Sequence, residues 1–500
     1  MHFVYDDRDL TSIFEYAKQL ENKTFSDIIK AYENSPIKRY VNPYESDDRY
    51  VEDIGGDMDV PLYKDNDKAK GNLGNILETF YFGYKPNSRQ EADFPKVGME
   101  LKQTCVDKKK NGELSAGERL SITNISYKEP VELDFEESHV WNKIQLILLV
   151  HYLRDKKLDK LDYPILFVNL FRPSESDIVI IKNDYNIIIN KIMAGRADEL
   201  SESDTLYLGA CTKGATAEKS LRPQYYGDHT LAKKRNFCLK KSYMDFILKN
   251  IILNKRFSYE SILMNVKEIE NKTFEEYVID KINRYKGKTD VELSQIFNVD
   301  YNKNKAQWTN LTYRMLGIKG NHAEEFVKAN VVVKVIRVEE NLKITESISI
   351  PTFSFKEIVH EEEWEESCVF HYFNETRFLF VIYKKDGCAY RLHGAQMWNM
   401  PYGDLNIFAK ECWINVRQCI RNGVVLKKKG NRITNNFPKK IDNKVLHVRS
   451  HSNKAAYRLK NGFEKGNVER DADELPNGEW MTIHSFWINN TYISSQLDFE

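Results

Sequence analysis

Asp93, Glu100 and Lys102 form an acid-x6-acid-x-base pattern, Asp93-x6-Glu100-x-Lys102. On an extended strand, residues two apart share a face, so Glu100 and Lys102 point the same way. Asp93 enters from the preceding segment and can reach the same place. Two carboxylates on rigid backbone can hold Mg²⁺ through oxygen. A neighbouring lysine can orient, or help deprotonate, a water for in-line attack on a phosphodiester. Because the spacing also recurs by chance in a chain this rich in charge, the reading rests on context. Val97, Met99 and Leu101 alternate with the polar positions, as in a strand facing a core.

The stretch Lys70-Gly71-Asn72-Leu73-Gly74-Asn75-Ile76-Leu77-Glu78 precedes that strand and opens a helix over 72–83. Gly71 and Gly74 would leave its start free for a phosphate or a close backbone. Glu78, one turn past Gly74, would add a third carboxylate. The strand itself spans 96–104, with a partner at 119–126 after the polar turn 107–117. Periodicity then predicts a helix over about 139–153, strands at 164–170 and 177–182, and helices near 184–194 and 241–252. The second half reads as a helix near 308–316, strands 330–338, 344–350 and 377–384, and a helix 405–421.

Two segments recur at a shift of 249: Glu21-Asn22-Lys23-Thr24-Phe25 as Glu270-Asn271-Lys272-Thr273-Phe274, and the pattern of Phe237–Tyr243 as Phe486–Tyr492. They sit at the two ends of a half-chain and imply a tandem duplication, with copies over 1–255 and 260–500. The 500 residues carry 74 basic and 74 acidic side chains, so no global field attracts a polyanion and local patches must do so. Such patches are Lys108–Lys110, Lys233-Lys234-Arg235 with Lys240-Lys241, and Lys427–Lys429. No apolar run is long enough to span a bilayer, so no membrane role is expected. Seven cysteines without a C-x-x-C pair fit reduced thiols in a cytoplasm and argue against structural zinc or disulfides.

Lys70-Gly71-x-x-Gly74-x-x-Leu77-Glu78 followed by Asp93-Phe94-x3-Gly98-x-Glu100-Leu101-Lys102 closely resembles the MutH family of GATC-specific endonucleases, and the longer chain its two-domain, Sau3AI-type restriction branch. Matching stretches continue in order through Leu200-Ser201, Tyr207-Leu208, Cys211–Ala215, Glu375–Phe380, Glu479–Thr482 and Ser485–Asn490. The resemblance implies an α/β chain of two tandem restriction-endonuclease-like domains, each a central mixed sheet flanked by helices. It implies that Asp93 and Glu100 are the metal ligands, that Lys102 positions the attacking water, and that Glu78 is the supporting acid. Lys70 would lie near the DNA backbone. The loop carrying Thr212 and Lys213 would enter the DNA groove, and the stretch ending in Lys240 and Lys241 would make a second contact.

Cys211 departs from the recognition arginine of the mismatch-repair branch. In the second copy Val332 falls opposite Glu100, Glu325 opposite Asp93 and Lys334 opposite Lys102, so that copy should not cleave. Arg449 there fills the slot of Cys211 and suits a guanine edge. The expectation is a Mg²⁺-dependent type II restriction endonuclease cutting double-stranded DNA, as a monomer that pairs transiently on DNA or nicks twice. The alternatives are a strand-nicking repair-type endonuclease and a non-catalytic DNA-binding regulator.

Overall fold

The run Ile147–Leu153 is nearly continuous in apolar residues, and its first four side chains are 0% exposed. Periodicity favours one helix over 139–153, but a short helix, His139–Ile144, N-capped by Ser138, gives way to a strand. A strand buried on both faces loses the alternation that marks a half-exposed one, so its pattern mimics a buried helix. The opposite error occurs at 177–182. There the β-branched run Ile178–Ile181 belongs to a 19-residue helix, Glu175–Met193, capped by the Ser174 hydroxyl, which accepts from the Asp177 N–H.

The computed structural model describes residues 5–35, 37–39, 50–52, 72–84, 86, 90–212, 220–255, 257, 259–302, 304–430 and 432–497. The chain divides into two units. The first comprises Met1–Asp198, Thr205–Ser258 and Val327–Ala329, and the second Glu199–Asp204, Tyr259–Phe326 and Asn330–Glu500. No helix among the described residues is long and apolar enough to cross a membrane.

The two larger sheets of the first unit are built from β1 (Glu100–Lys108), β2 (Leu114–Ala116), β3 (Leu120–Asn124), β4 (Ile147–Leu153), β5 (Ile165–Phe171), β6 (Leu208–Thr212) and β7 (Arg235–Leu239). One sheet runs β2-β1-β4-β5, with β1 parallel to β4 and β5 antiparallel to it. A second runs β3-β7-β6, all antiparallel. The segment expected to pair with β1 is therefore in the other sheet. A tight turn through Asn111-Gly112, with Gly112 at φ +83°, instead folds β2 onto β1.

The helices are α1 (Leu10–Lys18), α2 (Phe25–Glu33), α3 (Asn72–Ile76), α4 (His139–Ile144), α5 (Glu175–Met193) and α6 (Lys241–Phe246). Helices α1–α3 join the core on one sheet face, where Ile13, Phe25, Ile28 and Leu77 meet Met99, Leu101, Leu148 and Val168.

The second unit repeats this plan. Strands β8 (Val331–Val338), β10 (Arg377–Asp386) and β11 (Ala389–Trp398) reproduce β1-β4-β5, with a parallel pair and then an antiparallel one. Strands β9 (Ile348–Thr352), β13 (His484–Ile488) and β12 (Leu446–Ser450) reproduce β3-β7-β6. The recurring Glu-Asn-Lys-Thr-Phe segments both open a capped helix. Thr24 caps α2 with Asp27, and Thr273 caps α7 (Phe274–Asn283) with Glu276.

One carboxylate pins the start of β6. Asp184 on α5, 1% exposed, accepts the N–H groups of Leu206, Tyr207 and Leu208 at 2.8, 2.6 and 2.9 Å. Asp184→Ala would leave three buried donors unpaired, each costing roughly 1–3 kcal/mol. The unfolding midpoint should drop and the Leu206–Leu208 amides should exchange faster; an unchanged midpoint would contradict this account of β6.

Candidate active site

The bend before β1 brings Asp93 back beside the strand. Phe94 and Met99 exchange backbone hydrogen bonds of 2.8 and 3.1 Å, and Gly98 takes φ +64°, a conformation costly for other residues. Two further bonds then tie the acids together. The Asp93 N–H donates to Glu100 Oε2 at 3.2 Å, and the Leu101 N–H donates to Asp93 Oδ2 at 2.9 Å.

Glu100 is 1% exposed, and two ammonium groups compensate its charge. Lys102 Nζ lies 2.5 Å from Oε1, confirming that the two side chains share a face of β1. Lys143, at the end of α4, lies 2.9 and 3.1 Å from the two oxygens. Nothing in the local pattern signals Lys143, which is 43 residues away in sequence. It arrives because α4 leads directly into β4, the parallel neighbour of β1.

Glu78 sits on a widened, π-helical turn, Leu77–Phe82, that continues α3 and ends at left-handed Gly83. Such turns often mark functional positions. Packing of Phe82 on Phe94, with ring centroids 5.2 Å apart, ties this turn to the bend carrying Asp93. The Cβ position of Gly74 faces the Gln103 amide at 3.0 Å, so this glycine admits a strand side chain. That differs from the phosphate approach expected of it.

Burial, and then the charge of Asp93, push the Glu78 carboxyl up to about 8. Burial and Glu100 push Asp93 to about 6. Burial would depress Lys102, but Glu100 and Asp93 outweigh it and hold the ammonium above its ordinary value. In this state Lys102 is therefore a hydrogen-bond donor and not a base. Crowded carboxylates that resist ionisation are an environment a divalent cation relieves. The donor set is all oxygen, which suits a hard ion. Among the described residues no three His, Cys, Asp or Glu side chains cluster as a ligand set. Mg²⁺ does not require one, since it is commonly held by one or two carboxylates plus water and substrate phosphate.

The residues expected to contact DNA are placed unevenly. Lys70 and Lys213 lie outside the described residues. Thr212 is half-buried at the end of β6, opposite Arg235. Lys241 is exposed at the start of α6. Lys240 is 3% exposed, with its ammonium on the Thr205 carbonyl and its charge acting on Asp184, so its side chain is engaged within the fold. In the second unit Arg449 is exposed on β12, its guanidinium 3.8 Å over the Trp487 ring.

The MutH family model, described as the DNA mismatch repair enzyme MutH, matches residues 82–184. This segment holds Asp93, Glu100, Lys102 and Lys143. The chain is also 34% identical over 464 residues to the type II restriction enzyme Sau3AI of Staphylococcus aureus, covering 86% of this chain and 93% of that relative. The chain belongs to the Sau3AI type of type II restriction enzymes. As such it is an endonuclease that hydrolyses DNA. Similarity to MutH proteins covers less of it. The DNA mismatch repair protein MutH of Vibrio vulnificus strain YJ016 is 27% identical over 198 residues, 39% of the restriction enzyme and 82% of MutH. The MutH of Shewanella woodyi is 28% identical over 187 residues, 36% and 77% respectively.

Glu78 supplies a test of the site's electrostatics. Its folded value, about 8, lies above the ordinary 4.5, so the metal-free fold holds a proton that the unfolded chain releases. Its contribution to stability is present at low pH and is lost as pH rises from about 4.5 through about 8. Glu78→Gln, which stays neutral, should gain stability relative to the parent over that interval in chelator. A melting-temperature difference that stays constant from about pH 5 to 9 would contradict the assignment.

Proposed function

We propose that the first unit is the cutting centre, with Glu78, Asp93, Glu100 and Lys102 as its catalytic residues, and that the enzyme cleaves duplex DNA at GATC. The observation that carries this is the pair of backbone bonds that sets Asp93 beside Glu100, the Asp93 N–H on Glu100 Oε2 and the Leu101 N–H on Asp93 Oδ2, next to a protonated Lys102. Asp93 and Glu100 would hold Mg²⁺, which when bound lowers the pKa of a water and offsets charge on the phosphate. Lys102 offers N–H donors to the attacking water or to a phosphate oxygen, fixing direction of approach. Lys143 holds the Glu100 carboxylate in position through bonds to both of its oxygens. Glu78 holds a proton at neutral pH and can exchange it with the reacting water as the surrounding charge changes. In-line attack leaves a 5′-phosphate and a 3′-hydroxyl. Lys70, Thr212, Lys213 and Lys241 are proposed as DNA contacts beyond the Lys102 ammonium.

The second unit is proposed to bind DNA without cutting it. Its Val332 stands where Glu100 stands in β1 and carries no oxygen ligand. Glu325 is committed to the Ser261 hydroxyl and the Ile262 and Leu263 N–H groups. Burial lowers the pKa of Lys334, and no carboxylate of that strand stands beside it among the described residues. Arg449 aligns with Cys211 by strand register, since Cys211 pairs opposite Asn236 and Arg449 opposite Ser485, its counterpart 249 residues on. Stacked on Trp487 and exposed, Arg449 presents two N–H donors suited to guanine O6 and N7.

One cutting centre per chain means that a double-strand break needs two molecules paired on DNA or two successive nicks, and we propose a monomer that pairs on its substrate. All seven cysteines are unpaired, which suits action in the cytoplasm.

Plasmid incubated with the enzyme and Mg²⁺ should yield linear fragments whose ends map to GATC. Nicked circles would favour strand-by-strand repair cutting, and untouched DNA a binding protein. Glu100→Ala should lower cutting by roughly three orders of magnitude or more while leaving DNA binding in place. Retained cutting would refute the site. Arg449→Ala should weaken binding of DNA roughly tenfold, as loss of one bidentate base contact does. Unchanged affinity and unchanged cutting of multi-site DNA would exclude that role.

A further inference from the structure

Away from the strands that carry Arg449, three helix ends of the second unit converge on a cleft of about 400 Å³. Lys281 and then Arg284 and Tyr285 come from the end of α7, Phe297 follows the helix Asp290–Ile296, and Arg314 and Lys319 come from the end of α8 (Lys305–Met315) and the loop after it. Four cations therefore line one cleft, and among the described residues no carboxylate lines it.

Cations at helix C-termini are ordinarily explained by the exposed carbonyls there. That accounts for two of the four. Lys281 donates to the Ile262 carbonyl at 3.0 Å and lies 4.9 Å from the Tyr277 ring centre. Arg314 donates to the Ile318 carbonyl at 2.6 Å. Arg284 and Lys319 are exposed, and neither side chain makes a hydrogen bond or a close ion pair among the described residues, although the charge of Glu260 is near enough to interact with Lys319. Glu260, whose charge acts on Arg314 and Lys319, has its oxygens on the backbone N–H groups of Lys319 and Gly320 at 2.9 and 2.6 Å.

Burial lowers the pKa of Lys281, the charge of Glu268 opposes that shift and the charge of Arg284 adds to it. Beside these cations stand two rings, Tyr285 and Phe297, with centroids 5.2 Å apart and planes inclined by 59°. Cations that accept phosphate, next to aromatic faces that accept a flat ring, are how proteins hold a nucleotide without reading its sequence. The volume falls within the range of small-molecule sites. We propose that this cleft binds one nucleotide, its phosphate on Arg284 and Lys319 and its base against Tyr285 and Phe297. The nucleotide is either free or turned out of a DNA strand.

The test uses the full-length enzyme in chelator, so that nothing is cut. Binding is measured for inorganic phosphate, for deoxyadenosine monophosphate, and for two matched duplexes, one with a single unpaired adenosine. The parent should bind the mononucleotide more tightly than phosphate, or prefer the duplex with the unpaired base, or both. Arg284→Ala with Lys319→Ala should weaken the preferred ligand about tenfold or more, and Phe297→Ala should remove the advantage of base over bare phosphate. Because Arg284 and Lys319 are exposed, that double variant should keep the parent's circular dichroism. Loss of mononucleotide affinity identifies a free nucleotide as sufficient. Loss confined to the unpaired-base preference identifies the DNA strand as the source. Absence of any preference in the parent, or affinities unchanged in both variants, overturns the proposal.

Discussion

A carboxylate removed from water must be compensated by charge or by hydrogen bonds, or it gives up its own charge. Glu100, almost wholly buried at the head of β1, is compensated by Lys102 from its own strand and Lys143 from α4, with a third donor in the Asp93 N–H. Its neighbours are less well compensated, and Asp93 and Glu78 are pushed toward their protonated forms. The parallel pairing of β1 with β4, the left-handed turn at Gly98 and the widened turn after α3 all serve to hold these groups together. Three carboxyl groups are thus gathered in one place, two of them held toward their neutral forms, which is an arrangement a divalent cation would relieve.

The duplication throws this into relief. Both units keep the parallel pair, the antiparallel neighbour and the second three-stranded sheet. The charged cluster of Glu78, Asp93, Glu100, Lys102 and Lys143 lies in the first unit. In the second, Val332 lies on β8 and Glu325 accepts the backbone N–H groups of Ile262 and Leu263. The sheet does not depend on the acids, because the strand pairings rest on backbone bonds and apolar packing.

Much of the site was legible because its geometry is local. Glu100 and Lys102 share a strand face whatever surrounds them, and Asp93 is one tight bend away. Lys143 was not legible, since its approach depends on where α4 is carried by a strand that itself read as helix. Lys240 looked like a surface cation within a basic run, yet it is buried on a backbone carbonyl, a pairing that no sequence pattern announces. The β-branched start of α5 and the continuous apolar β4 were read in the wrong class for related reasons. Tertiary burial overrode local propensity in both cases. The pairing of β3 with β7 and not β1 is a long-range choice that the turn at Asn111-Gly112 settles by giving β1 a nearer partner.

The shared cation is the claim on which most depends, and anomalous diffraction from crystals grown with Mn²⁺ in place of Mg²⁺ would locate it directly. The account predicts a peak roughly 2 Å from carboxylate oxygens of both Asp93 and Glu100, with none beside Glu325 and Lys334. A peak that touches neither acid, or density of equal strength in the second unit, would contradict it.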